Sequence, residues 1–554
     1  MHRAFIGAFS AATLVGALFV SNASAQADTG LPDPEFPIEN PMLPNQDVLG
    51  KFLFWEEQVS SDNTMACGTC HIHEAGGSDP RALTTTNPHP GPDQLFGTAD
   101  DIRGSAGVVQ QDNGYNFSGN DLHFPNPRVT GRRSPPAINA MFNSSLFWDG
   151  RALNVYTDPQ TGVPEIIFGG ALESQAAGPP LSDVEMTRAG QTWNDVVAKL
   201  QGARPGGLMS NLPPEMASFV ATYPTYPEMF AAVYGDTAIT SKRVMFAIGN
   251  YERTLLADQT PMDPLFEGII TELDPPLEAG RLVFQGAANC TACHTVPHFF
   301  DDGFHNLGVR PEAEDTGRFA ITGDPLDMGA FKTPHLRNVK MRAPFFHNGG
   351  KATLADVVEF YDVGGDFANA NKDVLMVPLL LTVQQKADLV LFLEEALTDP
   401  RVEAGIFPFT RPTLASEQPS LNTVYGVASL SGLGAPPSVL THTPANVGNP
   451  HWMLGLYDAK PNAATLTALA YAPAPGLPFP DPRFPIPMNV NVGTLFLLLP
   501  GATDNLGVDT LSLSIPLNNA LIGLKFYGQW FIKDAAALAT GGVYGSKGVE
   551  VEIR

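Results

Sequence analysis

The chain has 554 residues, enough for about three domains, and a formal charge of -25 with a sequence pI near 4.7. That charge excludes nucleic acid, whose phosphates it would repel, and leaves either a solvated acidic surface or a field that steers a basic partner. The chain has four cysteines in all, so the chemistry they enter exhausts its thiols.

The N-terminus reads His2-Arg3, an apolar run from Ala4 to Val20 and the small-residue stretch Asn22-Ala23-Ser24-Ala25. This pattern predicts a secretory signal peptide cleaved after Ala25 and a periplasmic mature protein. No later apolar run is long enough to cross a bilayer, so a membrane-spanning chain is not expected. Residues 26–45 read as a linker. Cys67-Gly68-Thr69-Cys70-His71 comes next, and Cys290-Thr291-Ala292-Cys293-His294 repeats the pattern. Two thiols at this spacing add across the vinyl groups of one porphyrin, with the adjacent histidine under the iron, so each motif predicts a covalently bound haem c. A tetrahedral zinc site would need the two cysteine pairs to meet in space, and a dithiol redox motif does not require the histidine. A weak repeat precedes each motif: Gly50-Lys51-Phe52-Leu53-Phe54 resembles Gly280-Arg281-Leu282-Val283-Phe284, which predicts two related haem domains.

Between the motifs, Cys70 to Pro136 is rich in Gly, Pro, Asn and Asp and reads as a long ordered loop or several short ones. Helices are predicted near Trp193 to Leu200, Pro214 to Tyr234 and Ser241 to Leu256. After a second irregular stretch to about Pro344, Thr353 opens a short helix with Leu354, Val357, Val358 and Tyr361 on its apolar face. Thr382 and Gln385 form a capping-box pattern for a helix that ends near Thr398-Asp399-Pro400. Beyond Pro412 charge thins, and alternation in Leu511 to Ile515 and Val549 to Ile553 predicts half-buried strands. The expected fold is mainly α. Two cytochrome c-like haem domains, 46–260 and 261–410, are followed by a C-terminal β-rich domain, 415–554, with no recognisable catalytic cluster.

Further motifs carry a resemblance. They are Leu49 to Phe54, Phe147-Trp148-Asp149-Gly150-Arg151, Glu173-Ser174-Gln175-Ala176, Val184-Glu185-Met186, Phe331-Lys332-Thr333-Pro334-His335-Leu336-Arg337-Asn338 and Ala343-Pro344-Phe345-Phe346-His347-Asn348-Gly349. In order and spacing, beside the two haem motifs, they resemble the bacterial di-haem cytochrome c peroxidases and their relatives, the MauG enzymes, over roughly residues 45–410. Ile515 to Arg554 looks like a β domain sometimes appended to such peroxidases.

The resemblance implies a peroxidatic haem on Cys67, Cys70 and His71, with Gln175 and Glu185 on its distal side. A carboxylate there can move a proton between the two peroxide oxygens, and an amide can orient the peroxide. A second, electron-relaying haem on Cys290, Cys293 and His294 is implied, and its sixth ligand, counted from Phe346-His347, falls on Tyr361. The peroxidases carry Met there and the MauG enzymes Tyr; a soft thioether raises the potential, whereas a hard phenolate favours Fe(III). Met341 and Met328 are the alternative ligands if Tyr361 is a core tyrosine. Trp148 is implied as an electron-hopping station between the haems, and His347 as a histidine near the peroxidatic haem. His73, His89 and His123 are the loop histidines available to cap the resting peroxidatic iron. The stretch around Thr157 to Gly169 separates Trp148 from Gln175 more widely than the compact family pattern, which bears on the pocket's geometry. The family's interdomain calcium meets two cations here, because Arg133 and Arg342 stand where its oxygen ligands belong.

The expected activity is reduction of hydrogen peroxide to water, with two electrons from a small redox protein such as a cytochrome c or a cupredoxin. Two other readings stay open: a MauG-like enzyme oxidising side chains of a protein substrate, which Tyr361 favours, and a non-catalytic di-haem electron-transfer cytochrome, which has no use for Glu185 and Gln175. The identity of the donor and a homodimeric state are left open.

Overall fold

The computed structural model describes residues 30–554 apart from Thr85, Leu433, 479–485 and 538–541; the predicted signal peptide and its cleavage site lie outside the described residues. Two glycines account for the repeat ahead of the haem motifs. Gly50 lies where the helix Gln46–Trp55 crosses the helix Ser241–Glu252, and a Cβ there would stand 1.9 Å from the Ala247 carbonyl oxygen. Gly280 plays the same part where Pro275–Gln285 meets Val383–Leu391, with a Cβ 2.1 Å from the Asp388 carbonyl oxygen. Each haem motif therefore follows a helix that approaches its partner closely because one residue lacks a side chain.

Around the first helix pair stand Trp193–Gly202, Pro214–Thr222 and Tyr226–Tyr234. The single helix expected from Pro214 to Tyr234 is two, because Pro224 disfavours helical backbone at Tyr223, and Thr225 then caps the second helix by accepting from the Glu228 amide at 3.3 Å. The predicted caps of the later helices form: the Thr353 hydroxyl accepts from the Asp356 amide at 3.1 Å and Thr382 from Gln385 at 3.2 Å. The description "mainly α" is too strong, since helices cover 27% of the chain and strands 16%; long loops make up much of both haem-binding halves. The described part of the expected linker is pinned down, with the buried Asn40 amide donating to Glu173 at 2.8 Å and to the Phe246 carbonyl at 3.1 Å. At the other end, Val402, Phe409 and Leu414 pack in the same apolar cluster as Leu49, Phe54 and Tyr251. The chain thus leaves the second haem-binding half before residue 410 and returns to the first.

The helix Ser241–Glu252 ends on a buried carboxyl. Burial, reinforced by the nearby Glu173, pushes Glu252 up to about 8, and its Oε2 has no partner among the described residues. The folded protein keeps this proton where the unfolded chain has released it. The resulting stability is complete below about pH 4.5 and is lost as pH rises through about 8. Glu252→Gln should therefore flatten the fall in melting temperature between about pH 6 and about pH 9, measured by calorimetry; an unchanged slope would clear Glu252 of this role.

Among the described residues the C-terminal region holds, beside a two-stranded pair, Pro473–Pro478 with Pro487–Val490, two larger sheets sharing one core. One runs Leu495–Ala502, Ala464–Ala470, Lys525–Lys533, Gly548–Glu552, Thr423–Tyr425, and the other Asp509–Leu513, Trp452–Tyr457, Ser438–Leu440, with all these pairings antiparallel. Trp452, Leu454, Leu511, Trp530, Val549 and Val551 meet between them.

Candidate active site

The turn Cys67–Cys70 rests on Trp55, since a Cβ on Gly68 would stand 2.2 Å from the indole. His71 donates from Nδ1 to the Gly77 carbonyl at 3.1 Å, which leaves Nε2 as the ring's remaining ligand atom. Above them lies a cavity of about 750 Å³ bordered by Cys70, His71, Trp148, Gln175 and Glu185, with His89 and Arg133 at its wall. Gln175 sits near the end of the short helix Ala171–Ala176, which is anchored by a buried ion pair, Glu173 to Arg253 at 2.6 Å. The stretch that widened the spacing from Trp148 folds out as a small hairpin, Tyr156–Thr157 paired with Pro164–Ile166. Asn154 closes its base, its carbonyl accepting from Gly170 at 2.8 Å and its side chain from Gly169 at 2.7 Å. Trp148 and Gln175 therefore still face one cavity. Glu185 is half-buried, and burial pushes its carboxyl above the ordinary range, with Ser182 and Arg151 pulling the other way.

The second cavity, of about 490 Å³, is bordered by Cys290, Cys293, His294, Tyr361 and a largely apolar wall that includes Phe284, Leu336 and Leu393. His294 Nδ1 donates to the Phe299 carbonyl at 2.8 Å, again leaving Nε2. Burial, with Cys290 and Cys293 next to it, pushes the Tyr361 phenol above its ordinary range. Both linings would take haem c: each has a motif thiol and a histidine with one nitrogen tied, the second adds an apolar slot for the ring, and each offers an unpartnered polar group for the ring's carboxylates. In the first cavity that group is the buried Nε of Arg133, and in the second it is Nε2 of His347, neither having a partner among the described residues.

Trp148 borders both cavities. Its indole donates to the Arg133 carbonyl at 2.7 Å, and its backbone carbonyl accepts from the Lys332 amide at 2.8 Å, so both ring and backbone are tied.

Several expected placements differ. His347 borders the second cavity and not the first; its ring stacks on Phe331 with centroids 3.6 Å apart, Trp148 stands beside it, and burial pulls it down to about 3, so it is neutral. His73 is shut in the core, donating from Nδ1 to the Phe409 carbonyl at 2.8 Å and facing the Tyr251 hydroxyl with Nε2. His123 is tied to Asp121 at 3.1 Å, which leaves His89 as the loop histidine of the three on the first cavity. Neither Met328 nor Met341 borders the second cavity, whereas Met376 does. Nothing in the local pattern around Met376 marks it, because it arrives on a loop.

The calcium position is filled by protein. Arg133 donates to the Ala343 carbonyl at 3.1 Å, and Arg342 to the carbonyls of His335 at 2.6 Å and Arg337 at 3.0 Å. Both side chains are buried, and burial pulls them down to about 10 and about 9. Guanidinium groups take up the carbonyl oxygens and supply the positive charge, so these residues do not fit a hard cation.

Residues 44–270 match the family described as di-haem cytochrome c peroxidase. The chain is 26% identical over 404 residues to the methylamine utilization protein MauG of Methylorubrum extorquens, covering 71% of this chain and 92% of that protein. It is 27% identical over 351 residues to the cytochrome c551 peroxidase of Nitrosomonas europaea, covering 62% of this chain and 80% of that one. Among solved structures, a MauG-like protein associated with microbial copper homeostasis matches at 25% identity with a TM-score of 0.49, over 69% of this chain and 96% of that one.

Proposed function

We propose that this chain, a member of the di-haem cytochrome c peroxidase and MauG family, is a periplasmic enzyme that reduces hydrogen peroxide at the haem on Cys67, Cys70 and His71. It is an oxidoreductase with two covalently bound haems c. The observation that carries the proposal is the shared wall: Trp148 borders both cavities, and Gln175 and Glu185 border the first. Bound haem supplies the iron for peroxide and the one-electron steps. Glu185 takes the proton from the inner peroxide oxygen and returns it to the outer one, while the Gln175 amide orients the substrate. Each turnover joins one peroxide, two electrons and two protons into two waters. Electrons enter at the second cavity, where Val374 (87% exposed), Leu375, Val377 and Leu380 (85% exposed) surround or flank the opening. An apolar ring of this kind suits a small cytochrome c or cupredoxin, and the chain's acidic charge steers a basic one. Trp148 carries the electrons across.

One observation favours a second reading. Tyr361 borders the second cavity at the position the resemblance gives to the sixth ligand, beside Met376 and with Met328 and Met341 away from it, which suits a MauG-like enzyme that oxidises side chains of a protein substrate. Stopped-flow absorbance separates the two: diferric holoprotein is mixed with stoichiometric peroxide, then with a reduced small cytochrome c. The peroxidase reading expects two cytochromes oxidised per peroxide, and Trp148→Phe should slow that oxidation several-fold without changing the first haem's own reaction. Peroxide consumed with no cytochrome oxidised would instead support the MauG-like reading.

A further inference from the structure

The segment 105–130 has an inner and an outer side. On the inside, Ser105 and Thr130 border the first cavity. The Val108 amide donates to the Val184 carbonyl at 3.3 Å, and a Cβ on Gly107 would stand 1.9 Å from that same oxygen and 2.8 Å from Glu185 Cα. Arg128 pairs with Asp183 at 2.9 Å, and the Ala189 amide donates to the Gln111 carbonyl at 3.2 Å. The two limbs are stitched together by Gly107 to Arg128 and Arg128 to Val108, both 2.9 Å, and by Ser118 to Gln110 at 3.0 Å. The result is a plate lying against the Val184–Glu185 turn.

On the outside this plate rests on the β-rich region. Val109 and Phe117 form one apolar cluster with Met453 and Val508. The Phe117 amide donates to the Thr510 hydroxyl at 2.9 Å, and Tyr115 stacks on His451 with centroids 3.6 Å apart. The strand Trp452–Tyr457 is apolar on both faces: Trp452, Leu454 and Leu456 enter the core between the sheets, while Met453, Gly455 and Tyr457 meet the plate. Gly455 is the tightest point, since a Cβ there would stand 2.9 Å from the Phe117 ring. A strand that covers its own core with one side and a haem-domain loop with the other couples the two.

We propose that residues 415–554 position the distal side of the first haem, pressing the 105–130 plate against Val184 and Glu185 so that the Glu185 carboxyl stays at the cavity. Phe117 and Gly455 act as positioning residues. The effect on turnover rests on the peroxidase reading, whereas the effect on the first haem itself does not.

The test is Gly455→Val in the holoprotein, a change that suits a strand backbone and fills the space Phe117 occupies. Expected results are faster hydrogen exchange at 105–130 and at 182–188, an altered ferric spectrum of the first haem, an unchanged potential of the second, and a peroxide kcat lowered by about 10- to 100-fold. Phe117→Ala attacks the same contact from the other side by removing volume, and it decides the matter if the valine variant does not fold. Wild-type exchange at 182–188 together with a wild-type first-haem spectrum in these holoproteins would overturn the proposal. Should wild-type protein itself fail to turn over peroxide, the activity reading falls, and exchange and spectrum still decide this one.

Discussion

Glu185→Gln is expected to lower peroxide turnover by roughly 10²- to 10⁴-fold while both haems stay attached, the range associated with loss of a positioned proton-transfer group. The amide keeps the size of the carboxyl but cannot take a proton. Burial already holds the Glu185 carboxyl above its ordinary value of 4.5. Turnover that needs the carboxylate as proton acceptor is therefore lost as pH falls through this raised value, which sets an acid limb above about pH 4.5 in the wild-type profile. The glutamine variant should lose the limb as well as the rate, which separates a chemical role from a structural one. Oxidation of a reduced cytochrome c across a pH series measures both. Equal kcat values in the two proteins would remove Glu185 from the mechanism.

Tyr361→Met is expected to raise the potential of the second haem by on the order of hundreds of millivolts, within the ~0.8 V that axial ligands span. The phenol lies on the cavity that holds Cys290, Cys293 and His294, and burial there disfavours its ionised form. Ionisation in that setting needs a cation in the cavity, which is what a ligand role supplies. Spectroelectrochemical titration of the holoprotein reads the potential directly. Tyr361→Phe is the informative companion because Met376 borders the same cavity. A rise with phenylalanine as large as that with methionine would show Met376 taking the vacated place, and a potential unmoved by both changes would mean that Tyr361 is not a ligand.

Local chemistry made much of this protein legible in advance. The haem motifs and the caps at Thr353 and Thr382 act over a few residues and have local physical causes, and the alternation in Leu511–Ile515 and Val549–Ile553 falls on strands that end at Leu513 and Glu552. What stayed hidden depends on contacts between distant parts of the chain. The motif around His347 points to the first haem, yet its ring, stacked on Phe331 and edge-on to Trp148, borders the second cavity. His73 lies two residues from a ligand histidine and still points into the core, because Phe409 arrives from the far end of the second half to accept its proton. The loop from Cys70 to Pro136 offered no periodicity because its order comes from outside it, from the Glu185 turn on one side and the strand Trp452–Tyr457 on the other.

The second cavity also sets a condition on biosynthesis. The cavity of about 490 Å³ is open toward the exposed Val374 and Val377, so its apolar wall, which includes Leu336 and Leu393, is covered only when porphyrin is bound. Covering that wall links thioether formation to the stability of the helices between Pro275 and Leu397. Accumulation of the protein is therefore expected to follow the supply of haem, since the form with porphyrin bound is the more stable one.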